Sequence, residues 1–125
     1  MEDAERENAV TLRAERGYVR CDWRRATRIT GELARAAIKR LDELNDGSKH
    51  PLLVDMRGTA NLTREGRRAF ADEYSASRVA LLGESSVDRV IADFTLSVIV
   101  MSTPTRYFTS ESAALAWLIG DDTRT

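Results

Sequence analysis

The chain has 125 residues, 42% apolar and 31% charged, which suits one compact globular domain that buries roughly two-thirds of its unfolded surface. Nineteen basic against twenty acidic side chains leave a formal charge of -1, so no positive excess points to nucleic acid. Cys21 is the only cysteine and forms no internal disulfide. No run of about 18 apolar residues offers a membrane span, and the acidic start lacks the basic and apolar regions of a secretion signal, which places the chain in the cytoplasm.

Residues 1–8 read as disordered. Val10-Thr-Leu-Arg-Ala14 and Tyr18-Val-Arg-Cys-Asp22 alternate apolar with polar side chains around Glu15-Arg16-Gly17. That is a hairpin pattern, with Gly17 supplying a positive φ to the turn. Trp23 and Arg24-Arg25 then leave the sheet. Thr30 is placed to cap a helix with Glu32 in its first turn. Leu33, Ala37, Leu41 and Leu44, with Ile38 beside them, form its apolar face, and Gly47 stands where a left-handed C-terminal cap is expected.

Pro51-Leu-Leu-Val-Asp-Met56 is nearly all apolar around Asp55, as in a strand covered on both faces. Gly58 turns the chain after it. Arg57, Thr59, Asn61 and Thr63 then fall at the carboxyl end of the strand, where α/β sheets usually carry function. A helix beginning at Thr63 buries Leu62, Gly66, Phe70 and Tyr74, and the bare Gly66 lets it lie close to a neighbour. Arg78–Leu82, closed by Gly83, reads as a second buried strand parallel to the first. Ser85 or Ser86 caps a helix expected to run to about Val100. Thr105–Phe108 is a short strand, and Thr109 or Ser110 caps a helix from Glu111 to Leu118 that buries Ala114, Leu115 and Leu118.

With Asp55-Met-Arg-Gly58 at its centre, this order of elements resembles the STAS domain of sulfate transporters and anti-sigma-factor antagonists. It is most similar to a bacterial branch that also resembles the CRAL-TRIO lipid-binding fold. Arg106-Tyr107-Phe108, Thr109 and Ala114-Leu-Ala-Trp-Leu118 look like the closing elements of that branch. The resemblance runs from about Val10 to Leu118. It implies an α/β fold: a STAS-like mixed β-sheet with an N-terminal hairpin and about four packed helices. The domain would span residues 9–119, followed by a polar tail over 120–125.

In anti-sigma-factor antagonists the central strand ends in a pattern like Asp-Leu-Ser-Gly. An Asp-Ser-Ser-Gly opens the next helix, and its second serine is the phosphorylation switch. Asp55 and Gly58 match the first pattern. Thr63-Arg64-Glu65-Gly66 falls on the second, with Glu65 at the position of the switching serine. Glu65 reads either as a partial mimic of phosphoserine or as a first-turn carboxylate favoured by the helix dipole. Thr59 and Thr63 are the remaining hydroxyls of the loop, and a cap is the simplest use of Thr63. Arg64, Arg67 and Arg68 share a helix side, with Arg57 ending the adjacent strand. They read either as a receiver for an anion or acidic partner, or as a solvated face paired with Asp72 or Glu73.

Single residues His50 and Cys21 form no catalytic pair or metal set at short spacing, and the isolated glycines cradle no phosphate. Leu96, Val98, Ile99, Val100 and Met101 are apolar on more than one side. They suit an oligomer contact, an apolar ligand or their own core. The sequence therefore reads as a non-enzymatic regulatory or protein-interaction module without the phosphorylatable serine. It needs no cofactor and works as a homodimer, with an acidic protein partner or anionic ligand. The alternative is a small apolar-ligand or lipid-binding protein of CRAL-TRIO-like type.

Overall fold

The computed structural model describes residues 9–59, 61–71, 74–84 and 103–120. Five strands form the main sheet: β1 (Val10–Glu15), β2 (Tyr18–Trp23), β4 (His50–Asp55), β6 (Ala76–Leu82) and β7 (Thr105–Phe108), side by side in that order. Strands β1 and β2 are the expected antiparallel hairpin, with Gly17 at φ +89° in its turn. The pairs β2–β4, β4–β6 and β6–β7 are all parallel. The sheet is therefore mixed, and the two apolar strands of the sequence lie side by side at its centre. Pro51 has no amide hydrogen to give the ladder, and the β4–β6 register slips between His50 and Leu52.

Three helices stand among the described residues where about four are expected. They are α1 (Gly31–Asn45), α2 (Arg64–Ala71) and α3 (Glu111–Leu115), the last widening into a π turn over Ala116–Gly120. The helix expected from Ser85 or Ser86 to Val100 falls outside the described residues. So do the expected disordered start and polar tail, apart from Gly120.

Thr30 caps α1 as its sequence predicts, with its hydroxyl accepting from the Leu33 amide. Two details of α1 differ. Leu44 is 44% exposed, while Ala34, Ala37, Leu41 and Asn45 form the buried line. At 3.6 residues per turn, Leu44 lies about 60° round from Leu41 at the centre of that line, just past its margin at Ala37. The left-handed cap falls on Asp46, whose φ is 46°, one residue before the expected Gly47. Aspartate tolerates that conformation better than most residues.

The sheet separates two cores. On one face Val19, Cys21, Leu52, Val54 and Val79 pack against Ala34, Ala37 and Leu41 of α1 and Ala69 of α2. Trp23, Phe70 and Tyr74 stack edge to face in the same layer. On the other face Leu53, Ala80 and Leu82 meet Ala114 and Leu118, all essentially inaccessible. Leu115, expected in that core, is only half-buried. Arg78 and Arg106 both lie over the Trp117 ring, and Arg78 Nη1 donates to the Trp117 carbonyl at 2.8 Å, fastening the π turn.

A second, two-stranded sheet has no counterpart in the sequence pattern. Strand β3 (Arg28–Ile29) runs parallel to β5 (Asn61–Leu62). It brings the start of α1 to the start of α2. A Cβ on Gly66 would lie 2.6 Å from the Ile29 carbonyl oxygen, so the bare glycine admits that backbone.

Candidate functional site

The carboxyl ends of β2 and β4 meet in an open polar basin of about 590 Å³. Parallel register sets Asp22 beside Asp55, and Arg20 lies two residues before Asp22, so all three share one face of the sheet. That is the face on which α3 packs, and Glu111, its first residue, closes the group. Arg20 is a buried strand residue, 9% exposed. Its Nε donates to Asp22 at 2.7 Å and its Nη2 to Asp55 at 2.8 Å. Its Nη1 donates to Glu111 at 3.2 Å.

Arg57 holds Asp55 from the other side. Its Nε and Nη2 donate to the two carboxylate oxygens at 2.9 and 2.6 Å, and its backbone amide adds a third bond at 3.2 Å. Burial works to raise the Asp55 pKa, but these hydrogen bonds and the charges of Arg57 and Arg20 outweigh it and hold the carboxyl below its ordinary value. For Arg20 burial works against the charged form, and the hydrogen bonds to Asp22 and Glu111 outweigh it, so its pKa is raised. Three carboxylates thus converge where a guanidinium already sits. That fork satisfies them with directed bonds and occupies the place another cation would need.

The rim is also paired. Arg13 bonds Glu15 and approaches Asp22 at 3.6 Å, while Arg25 reaches Glu84 at 3.0 Å. The Arg25 guanidinium lies over Gly58, whose φ of +75° and missing side chain both suit the approach. The Gly58 carbonyl accepts from the Ala26 amide at 2.7 Å, tying the loop after β2 to the loop after β4.

Of the residues singled out in the sequence, Arg57 belongs to this basin. Thr59 spends its hydroxyl on the Met56 carbonyl at 2.9 Å. Thr63 caps α2: its Oγ1 accepts from the Gly66 amide at 3.0 Å and donates to the Ile29 carbonyl. Arg67 is half-buried and turns back to the Leu62 carbonyl at 3.0 Å, away from the role of a free cation. Arg64, Glu65 and Arg68 are exposed on α2, and neither Arg64 nor Arg68 makes a hydrogen bond or ion pair among the described residues. Asp72, Glu73, Leu96, Val98, Ile99, Val100 and Met101 lie outside the described residues.

Cys21 is buried beside Val54, and desolvation pushes its thiol pKa up, the opposite of an activated nucleophile. His50 opens β4, at the end of the strand away from Asp55. Sequence reasoning missed Arg20, Asp22 and Glu111. The usable signal was Asp55 itself, since an acid ending a buried apolar strand demands a cation from a neighbouring strand.

A protein of the DUF3478 family from Shewanella loihica PV-4, described as having a SpoIIAA-like fold, shares this architecture. Its TM-score is 0.56 at 18% identity, over 88% of this chain and 92% of that one. The fold is therefore SpoIIAA-like, that is, STAS-like. A protein of unknown function from Arthrobacter sp. FB24 is 44% identical over 90% of this chain and 92% of its own, with a TM-score of 0.35. No curated protein matches. The family described as Domain of unknown function (DUF7793) matches residues 12–120, and the chain belongs to it.

Proposed function

We propose that this chain is a non-enzymatic interaction module of STAS-like fold, working in the bacterial cytoplasm and meeting an acidic partner through the first turns of α2. One observation carries the reading. Arg64 and Arg68, one helical turn apart, are exposed and make no ion pair among the described residues, while Arg20, Arg57 and Arg25 are all paired with carboxylates. Guanidinium groups already bonded to acids have little left to offer a ligand. Among the described residues the two on α2 make no hydrogen bond or ion pair, and they stand beside a helix N-terminus that favours negative charge. Glu65 stands between them with a fixed single charge, so no phosphate is added or removed there. No helix among the described residues is long and apolar enough to cross a membrane.

Fluorescence anisotropy with a labelled glutamate-rich peptide tests this reading. The wild type binds with an affinity that falls as salt rises. Arg64→Glu with Arg68→Glu abolishes binding and leaves melting nearly unchanged, as expected of exposed positions. Equal binding by the double variant overturns the reading. Among the described residues an apolar-ligand role finds less support: the partly open space lined by Trp23, Phe70 and Tyr74 measures about 30 Å³, too little for an acyl chain.

A further inference from the structure

Strand β1 is an edge of the sheet, and its backbone groups have a readable phase. Val10 pairs with Trp23 and Glu15 with Tyr18, and the Arg24 amide donates to the Ala9 carbonyl at 2.8 Å. Hydrogen-bonded and non-bonded pairs alternate along an antiparallel ladder. Ala9, Thr11, Arg13 and Glu15 therefore turn their backbone groups toward β2, while Val10, Leu12 and Ala14 turn theirs outward. Arg40 of α1 agrees with this phase, since its Nη1 donates to the Val10 carbonyl at 3.2 Å. No strand lies beside the outward groups of Leu12 and Ala14 among the described residues.

Next to this edge, Leu12, Arg40, Glu43 and Leu44 line an open groove. Leu44, at 44% exposure, is the one exposed large apolar side chain among the described residues. A strand edge that no other strand covers among the described residues, beside an exposed leucine, invites pairing with another chain. The groove carries one cation and one acid, so it is its own electrostatic complement under a twofold axis.

We propose that β1 is a homodimer interface, pairing antiparallel with β1 of a second copy about an axis through Leu12 and bringing the two grooves together. Chemistry selects the register. An axis through Arg13 would set two guanidinium groups directly opposite each other, which is destabilising. An axis through Ala14 would draw the turn residues Arg16 and Gly17 into the ladder. The Leu12 axis pairs Leu12 with Leu12 and sets Thr11 opposite Arg13, all within the strand. The flanking pairs of Val10 with Ala14 require the Arg40 guanidinium to leave the Val10 carbonyl, since Val10 is only 3% exposed. This surface differs from Leu96–Met101, the contact suggested by the sequence, and is independent of the Arg64 and Arg68 surface.

Two variants test the interface. A hydrogen-bonded antiparallel pair sets its Cα atoms about 5.5 Å apart, within the span of a disulfide. Leu12→Cys therefore cross-links into a covalent dimer under mild oxidation at micromolar concentration, while wild type, with Cys21 buried, does not. Leu44→Glu, at an exposed position, keeps the wild-type melting temperature and weakens dimerisation by at least about tenfold in sedimentation velocity. A wild type that sediments as a monomer throughout the micromolar range overturns the proposal. So does a wild-type dimer that Leu44→Glu leaves intact, or a folded Leu12→Cys protein that stays un-cross-linked.

Discussion

Replacing Arg20 by methionine keeps much of the side-chain volume and removes every donor. The loss is worked from the exposure of each partner. Asp55, 14% exposed, makes the buried pair, and breaking such a pair by deleting one member costs about 3–5 kcal/mol. Arg57 still holds both oxygens of Asp55, which brings the cost to the low end of that range. Asp22 and Glu111, at 31% and 41%, are screened by water and add no more than about 1 kcal/mol each. The total is about 3–5 kcal/mol, a large share of the 5–15 kcal/mol typical of a domain. At this chain length that amounts to a melting temperature roughly 10–20 °C lower. Urea denaturation followed by tryptophan fluorescence measures it, because Trp23 and Trp117 report from the two faces of the sheet. Deuterium exchange at α3 adds a local reading, since Glu111 would lose its tie to β2. A loss below about 1 kcal/mol with α3 still protected would show that the group behaves as a solvated surface cluster, and the argument from burial would fail.

Leu53→Asp places an unpaired carboxylate in the middle of the central strand, where Leu53 is inaccessible. It should abolish cooperative folding, because several kcal/mol of buried charge approaches the whole stability, and a soluble variant with a sharp melt would contradict that. Asp55 has a folded-state pKa below its unfolded one, so its stabilisation is complete above the unfolded pKa and lost as pH falls through the folded value. Acid titration of wild type should therefore show stability declining below about pH 4. Asp55→Asn should be less stable at neutral pH and show a shallower decline, and identical acid profiles would remove Asp55 from the account.

Features with a strong local pattern were legible in the sequence. Leu52, Leu53 and Val54, and then Val79 to Leu82, announce buried parallel strands because nothing polar interrupts them. Thr30, Thr63 and the Thr109–Ser110 pair announce caps because a hydroxyl in that position has an amide to receive, and of the pair it is Ser110 that caps. The two-residue strands β3 and β5 are too short to show any period. The Asp46 cap went unseen because Gly47 next to it is the better left-handed residue in isolation. Arg20 was hidden by its own alternation: a polar residue in a hairpin strand normally faces water, and only the docking of α3 over that face turns it into a buried hub.

The same docking decides where charge remains free. In a parallel sheet the strand carboxyl ends gather loops and polar side chains, and a ligand site usually forms there. Here Asp22, Asp55 and Glu111 take up Arg20 and Arg57, so most of the binding capacity of that end is spent joining β2, β4 and α3. Arg67 is likewise turned back onto its own chain. Arg64 and Arg68 escape because they lie one turn apart on the outer side of α2, while its inner side is fixed by Gly66 against Ile29 and by Ala69 in the core. The helix is thus held from within, and outside it carries two guanidinium groups that are unpaired among the described residues. Under the proposed function such an arrangement would suit recognition of an acidic surface, since the donors are presented on a scaffold that binding does not have to reorganise.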